Sequence, residues 1–77
     1  MQNVDLLETI GQNIRMYREI KGLSQLDLAE ECALHRNYLS AIEHGKRNFS
    51  ISTLTRIATG LNIRPEELFY AHDRGNK

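Results

Sequence analysis

Between Gly22 and Gly45 the chain marks the start and stop of two short helices and leaves only a few residues between them. No other feature limits the fold as strongly. Ser24 is placed to cap a helix, and Asp27, three residues on, is placed to return a bond to the Ser24 amide. Leu23 before the cap and Leu28 have the spacing of a hydrophobic staple. The helix so begun runs from Gln25 to about Cys32 and turns Leu28, Ala29 and Cys32 inward. After Ala33 and Leu34 a second short helix is expected from about Arg36 to His44, with His35 at its cap, Leu39 and Ile42 inward, and Gly45 as its stop. Two short helices joined by so tight a turn make a helix-turn-helix when they cross at a steep angle.

The remainder is patterned for helices as well. Leu7, Ile10, Ile14 and Tyr17 follow a three–four spacing over about Asp5 to Lys21. Asp5 and Glu8 have the spacing of a capping box, and Gly22 suits a left-handed stop. Beyond a polar loop from Lys46 to Ser50, a fourth helix buries Ile51, Leu54, Ile57, Ala58 and Leu61 and stops near Gly60 and Asn62. A fifth starts at Pro65, with Glu66 and Glu67 complementing its dipole and Leu68 and Phe69 as apolar anchors. The tail from His72 to Lys77 is polar and expected to fray. The reading is all-α: five helices, the helix-turn-helix at the second and third, in one domain over 1–77 with its core at about 5–71.

A chain of 77 residues leaves much of its surface exposed, and a second subunit would cover apolar surface that one copy cannot. No run of about 18 apolar residues exists to span a membrane. The start MQNVDLL lacks the basic-then-apolar pattern of a secretory leader. A single cysteine, Cys32, cannot form an internal disulfide and fits a reducing cytoplasm. Formal net charge is zero, yet it is unevenly spread. Residues 35–64 carry Arg36, Lys46, Arg47, Arg56 and Arg64 against Glu43 alone, a local +4. A polyanion feels this local field, screened over roughly 8–10 Å, more than the whole-chain total.

Two charges stand in apolar positions. Arg18 lies four residues after Ile14, on the inward stripe of the first helix, and Glu43 four after Leu39, on that of the third. Each alone is costly to bury, but a bidentate arginine–carboxylate contact offsets part of the desolvation. Arg18 and Glu43 are therefore expected to bridge the first and third helices and fix the orientation of the third.

The stretch GLSQLDLAEECALHRNYLSAIEHGKRN, followed by LTRIATGLNIRPEELF, resembles the helix-turn-helix proteins of the Cro and lambda-repressor type, over about residues 6–70. Within that group, His35-Arg36-x-Tyr38-x-Ser40-x-Ile42-Glu43 and then Gly45-x-Arg47-Asn48-x-Ser50 resemble the controller proteins of restriction–modification systems. The resemblance implies a small dimeric regulator that times endonuclease expression by binding operators near its own promoter. Asn37 stands where such proteins often have threonine and His44 where arginine is common, which bears on the operator sequence. Arg64 replaces the usual Ser or Asp, which implies a less well capped final helix.

In a helix-turn-helix the N-terminal residues of the second helix meet base edges in the major groove. Arg36 can donate twice to guanine O6 and N7, and Asn37 can pair with adenine N6 and N7. Tyr38 offers a ring for a thymine methyl or sugar and a hydroxyl for phosphate, unless the ring is half-buried beside Leu39. The controller resemblance adds Arg47 as a base reader. Ser24 and Gln25 begin the second helix, where backbone amides favour a phosphate, and the Gln25 side chain can reach one or brace Arg36. Ser40, Lys46 and Asn48 are further candidates for the phosphate backbone. Useful affinity needs a homodimer on double-stranded DNA, for which Ile63, Leu68, Phe69 and Tyr70 are the expected interface. Activation would add a contact with RNA polymerase, for which Glu30 and Glu31 are candidates, although a solvated face explains them equally. No cofactor is expected. His35, His44 and His72 form no metal-ligand pattern and nothing orients the Ser40–His44 pair, so the reading is a regulator rather than an enzyme. A phage-type or antitoxin-type repressor, or a protein-interaction module on the same fold, is the alternative.

Overall fold

A computed structural model describes residues 3–70, with side chains from residue 6 onward. Four α-helices, α1 (Asn3–Ile20), α2 (Gln25–Cys32), α3 (Arg36–Glu43) and α4 (Ile51–Leu61), precede a 3₁₀ helix at Pro65–Phe69. The expected fifth α-helix is thus a short 3₁₀ segment. Arg64 stands before it with no side-chain bond to its first amides, and a five-residue piece closes more easily with the tighter i→i+3 bonds. The first helix begins at Asn3, so Asp5 sits inside the first turn and not at a cap. The Asp5 side chain and the tail at 72–77 lie outside the described residues.

Each helix carries its own stop. In α1, the N–H of Leu23 bonds to Arg18 O and that of Gly22 to Glu19 O, both at 3.0 Å. The same double closure recurs after α2 (Leu34 to Ala29, Ala33 to Glu30), α3 (Lys46 to Ala41, Gly45 to Ile42) and α4 (Ile63 to Ala58, Asn62 to Thr59). Each closure needs one residue in the left-handed region, and Gly22, Ala33, Gly45 and Asn62 supply it with φ of 72°, 57°, 72° and 59°. Only Ala33 does so without the freedom of glycine or the local bonding of asparagine. At the N-termini, Ser24 and Asp27 complete a reciprocal capping box, and Ser50 Oγ accepts from Thr53 N at 3.0 Å. Asn62, not Gly60, closes α4. Gly60 lies inside the helix, at a position where a Cβ would stand 2.8 Å from Cys32 Sγ.

The core joins Ile10 and Ile14 of α1, Leu28, Ala29 and Cys32 of α2, Leu39 and Ile42 of α3, and Leu54, Ile57, Ala58 and Leu61 of α4. Leu68 closes it from the 3₁₀ helix with no exposed surface. α1 crosses the C-terminal end of α3 so closely that a Cβ on Gly11 would meet Ile42 O at 2.4 Å and Glu43 O at 2.6 Å. No flexible side chain is there to yield, so this glycine sets how near the two backbones come.

Candidate nucleic-acid interface

The third helix is held at its C-terminal end. Arg18 Nε donates to Glu43 Oε2 at 2.7 Å and a second guanidinium nitrogen donates to Oε1 at 3.0 Å, the two-pronged contact expected from the pattern. A third guanidinium N–H reaches Leu23 O at 2.9 Å, on the connection into α2. The Glu43 side chain is 1% exposed. The bond to Glu43, against the opposing effect of burial, holds the Arg18 guanidinium above its ordinary value, so the guanidinium stays charged. Such a pair adds little net stability over apolar packing, but it is costly to break and it has one geometry. Gln25 joins it, its Nε2 donating to Glu43 Oε1 at 3.0 Å. The Gln25 amide nitrogen, expected on a phosphate or against Arg36, is instead turned toward the buried carboxylate. The start of α2 is thereby fastened to the end of α3.

The opposite end of α3 is open. Arg36 and Asn37 are exposed in its first turn. His35 Nδ1 accepts from Asn37 N at 3.2 Å, so a histidine caps this helix and leaves the Asn37 side chain to point elsewhere. Ser40 follows one turn on, half-buried, and its carbonyl lies 2.8 Å from His44 Nδ1. A carbonyl can only accept, so Nδ1 carries the proton in this contact.

Tyr38 is half-buried against the core. Its hydroxyl donates to Asn48 O at 3.3 Å, and the Arg47 guanidinium stands 5.3 Å from its ring centroid. The ring therefore ties the loop after α3 back to the helix, a cation–π contact of about 0.5–1 kcal/mol at a surface site. Tyr38, Arg47 and Asn48 form one unit, with exposed Lys46 beside it in sequence. Ser24 is exposed at the start of α2, its hydroxyl oxygen accepting from Asp27 N at 2.9 Å. The Ser24 amide, and then its hydroxyl, hold the Asp27 carboxyl below the ordinary 3.8.

The basic block separates on folding. Arg56 donates to Cys32 O at 3.1 Å and Ala33 O at 2.8 Å, a cation on the last carbonyls of α2. Arg64 stands 3.5 Å from Glu66. Arg36, Lys46 and Arg47 are left on α3 and its following loop, and among the described residues none of the three pairs with a carboxylate.

The expected dimer surface needs correction. Leu68 is 0% exposed within the single chain and has no surface to offer, because it plugs the core between α1 and α4. Ile63 is half-buried against the same core. Phe69 and Tyr70 are exposed at 41% and 58%. Phe69 lines an open apolar groove of about 270 Å³ with Leu6, Phe49 and Ile51, and Ile51 is 74% exposed. Asn13 lies outside the residues that the sequence patterns mark. It is 3% exposed, and its Nδ2 donates to Leu68 O at 2.8 Å and Tyr70 O at 2.6 Å. Tyr17 adds a hydroxyl bond to Glu67 Oε1 at 2.9 Å. Backbone carbonyls leave no pattern in a sequence, and the one signal a sequence can offer here is a polar residue set between Ile10 and Ile14.

Two short helices docked around a tight turn, the second held at its rear and open at its front, are the defining parts of a helix-turn-helix domain. The helix-turn-helix family model HTH_3 matches residues 14–68, and the chain belongs to that family. Within it, the chain is similar to control protein C.SmaI of Serratia marcescens, 44% identical over 65 residues that cover 84% of this chain and 77% of that protein. Control protein C.BamHI of Bacillus amyloliquefaciens is 41% identical over 75 residues, covering 96% and 90%. The crystal structure of the restriction–modification controller protein C.AhdI from Aeromonas hydrophila matches with a TM-score of 0.80 at 44% identity, covering 82% of this chain and 96% of that one.

Proposed function

We propose that this chain is a controller of the restriction–modification type, a homodimer that binds a roughly palindromic operator and regulates its own gene and that of an endonuclease. The observation that carries this reading is the asymmetry of α3. Its rear is locked by a buried ion pair, while its front presents Arg36 and Asn37 with Lys46 and Arg47 in the loop behind. Arg36 and Asn37 read base edges in the major groove, and Arg47 reaches a base or phosphate from its seat on Tyr38. Lys46, Asn48, Ser24 and Ser40 meet the backbone, and Gln25 supports the site through Glu43. Two copies meet through Phe69 and Tyr70 together with Leu6, Phe49 and Ile51, and a two-fold dimer on adjacent half-sites needs its reading helices about 34–36 Å apart, one turn of DNA. Activation would use exposed Glu30 and Glu31 on α2 against RNA polymerase. Such a regulator works in the cytoplasm, where its operator is.

The test is a gel shift on the DNA upstream of its own gene, with Arg36→Ala beside the wild type. A lost bidentate guanine contact, about 1–3 kcal/mol, lowers affinity by roughly 5- to 150-fold and relaxes preference at one base pair. Lys46→Ala weakens all sequences alike and reduces the salt slope by about 1. Undiminished binding by Arg36→Ala would reject the base-reading role. No binding by the wild type at low salt would point to an interaction module instead.

A further inference from the structure

We infer that Asn13 is a positioning residue for operator spacing: by clasping the carbonyls on either side of Phe69 it sets the angle at which two copies meet. The inference rests on the dimeric reading above and adds a residue that lies neither on the DNA face nor in the apolar groove. Asn13 sits on α1 at 3% exposure, and both of its described bonds run to one place, Leu68 O and Tyr70 O. An amide NH₂ has two protons and both are used, so its plane and the direction of the segment it holds are fixed together. Between those two carbonyls stands Phe69, whose ring is 41% exposed and lines the groove with Leu6 and Ile51. The segment needs such a clasp because Pro65–Phe69 is a 3₁₀ helix without a side-chain cap. Tyr17, one turn further along α1, holds Glu67 of the same segment.

The same helix continues to Arg18, which grips Glu43 of α3. Asn13 and Arg18 thus lie five residues apart on one rigid rod, one fastening the dimerising segment and the other the reading helix. Any change in how Phe69 is presented rotates the second reading helix relative to the first. One base pair of spacer turns a half-site by about 35°, so the angle between copies is read directly as a preference for one spacing.

The experiment uses the full chain and a set of operators that keep both half-sites and change the spacer by one or two base pairs either way. Asn13→Asp keeps the shape and places an acceptor against two acceptors. Its expected result is a dimer dissociation constant raised about tenfold or more, with the spacing preference flattened, while contact with a single half-site at high protein concentration is unchanged. Lowering the pH protonates the buried carboxyl, restores one donor and partly restores the spacing preference. Asn13→Ser, which keeps one donor, gives an intermediate flattening and serves if the aspartate variant does not fold. Wild-type spacing preference in Asn13→Ser and Asn13→Asp would overturn the inference. So would a loss of single-half-site binding equal to the loss of dimer, which would mark Asn13 as merely structural. A wild-type chain that shows no spacing preference would instead remove the dimeric reading on which the inference stands.

Discussion

Ala33 occupies the left-handed position that Gly22 and Gly45 fill elsewhere, and this comparison can be turned into a paired experiment. An L-residue in that region costs about 1–2 kcal/mol relative to glycine. Replacing Ala33 by glycine removes that cost but makes the unfolded chain more flexible, which takes back about 0.4–1 kcal/mol. Ala33 is exposed, so no packing is lost, and Arg56 holds its carbonyl, which glycine keeps. The net expectation is a gain of about 0.5–1 kcal/mol, or roughly 3–6 °C in Tm for a domain of this size. Gly22→Ala runs the same exchange in reverse. A Cβ on Gly22 meets nothing within 4 Å, so the loss is purely conformational and of similar size. The assay is thermal and urea unfolding followed by circular dichroism at one fixed protein concentration, because self-association of the kind proposed would make Tm concentration-dependent. If Ala33→Gly left stability unchanged or lowered it, the assignment of strain to the turn between α2 and α3 would be wrong. Shifts of the same sign in both variants would refute the reasoning altogether.

Three further expectations follow from the site. Glu43→Ala strands the Arg18 guanidinium and costs about 3–5 kcal/mol, read as a lowered urea midpoint; the pair Arg18→Met with Glu43→Leu recovers much of that stability but not operator affinity, and full recovery of both would show that the ion pair does not orient α3. Tyr38→Phe keeps the ring beneath Arg47 and loses only the bond to Asn48 O, so operator affinity measured by fluorescence anisotropy falls less than in Tyr38→Leu. Asp27 has its folded-state pKa depressed by Ser24, so the stability it contributes is present above its unfolded pKa and is lost as pH falls through the lower folded one. Asp27→Asn removes that charge, and the stability difference between wild type and variant shrinks in acid titrations followed by circular dichroism.

What could be read from residues alone was whatever announces itself locally. Ser24, His35, Gly22 and Gly45 mark helix ends by their own chemistry, and α2 and α3 lie where those marks put them. Arg18 and Glu43 were legible because a charge on an apolar stripe demands a partner. Partners with no side-chain signature stayed hidden. Asn13 bonds to carbonyls 55 and 57 residues away, and Gly11 faces the backbone of α3. The basic block between 35 and 64 was real as a count but not as a surface, since Arg56 turns to the end of α2. Leu68 and Phe69 are adjacent and equally apolar, and only the direction of the 3₁₀ helix decides that one closes the core and the other lies open.

The backbone contact at Gly11 separates the mount of the reading helix from its message. The contact, like the Arg18–Glu43 pair, lies at the rear of α3, five or more residues from Arg36 and Asn37. Both side chains are exposed, so exchanging them alters no buried atom, and on the proposed reading a new operator preference needs no compensating change in the fold. On the proposed reading, a lineage built on this chassis changes the address it reads by substitution at the helix tip, while the approach of α1 to the rear of α3 stays set by a glycine that meets only backbone.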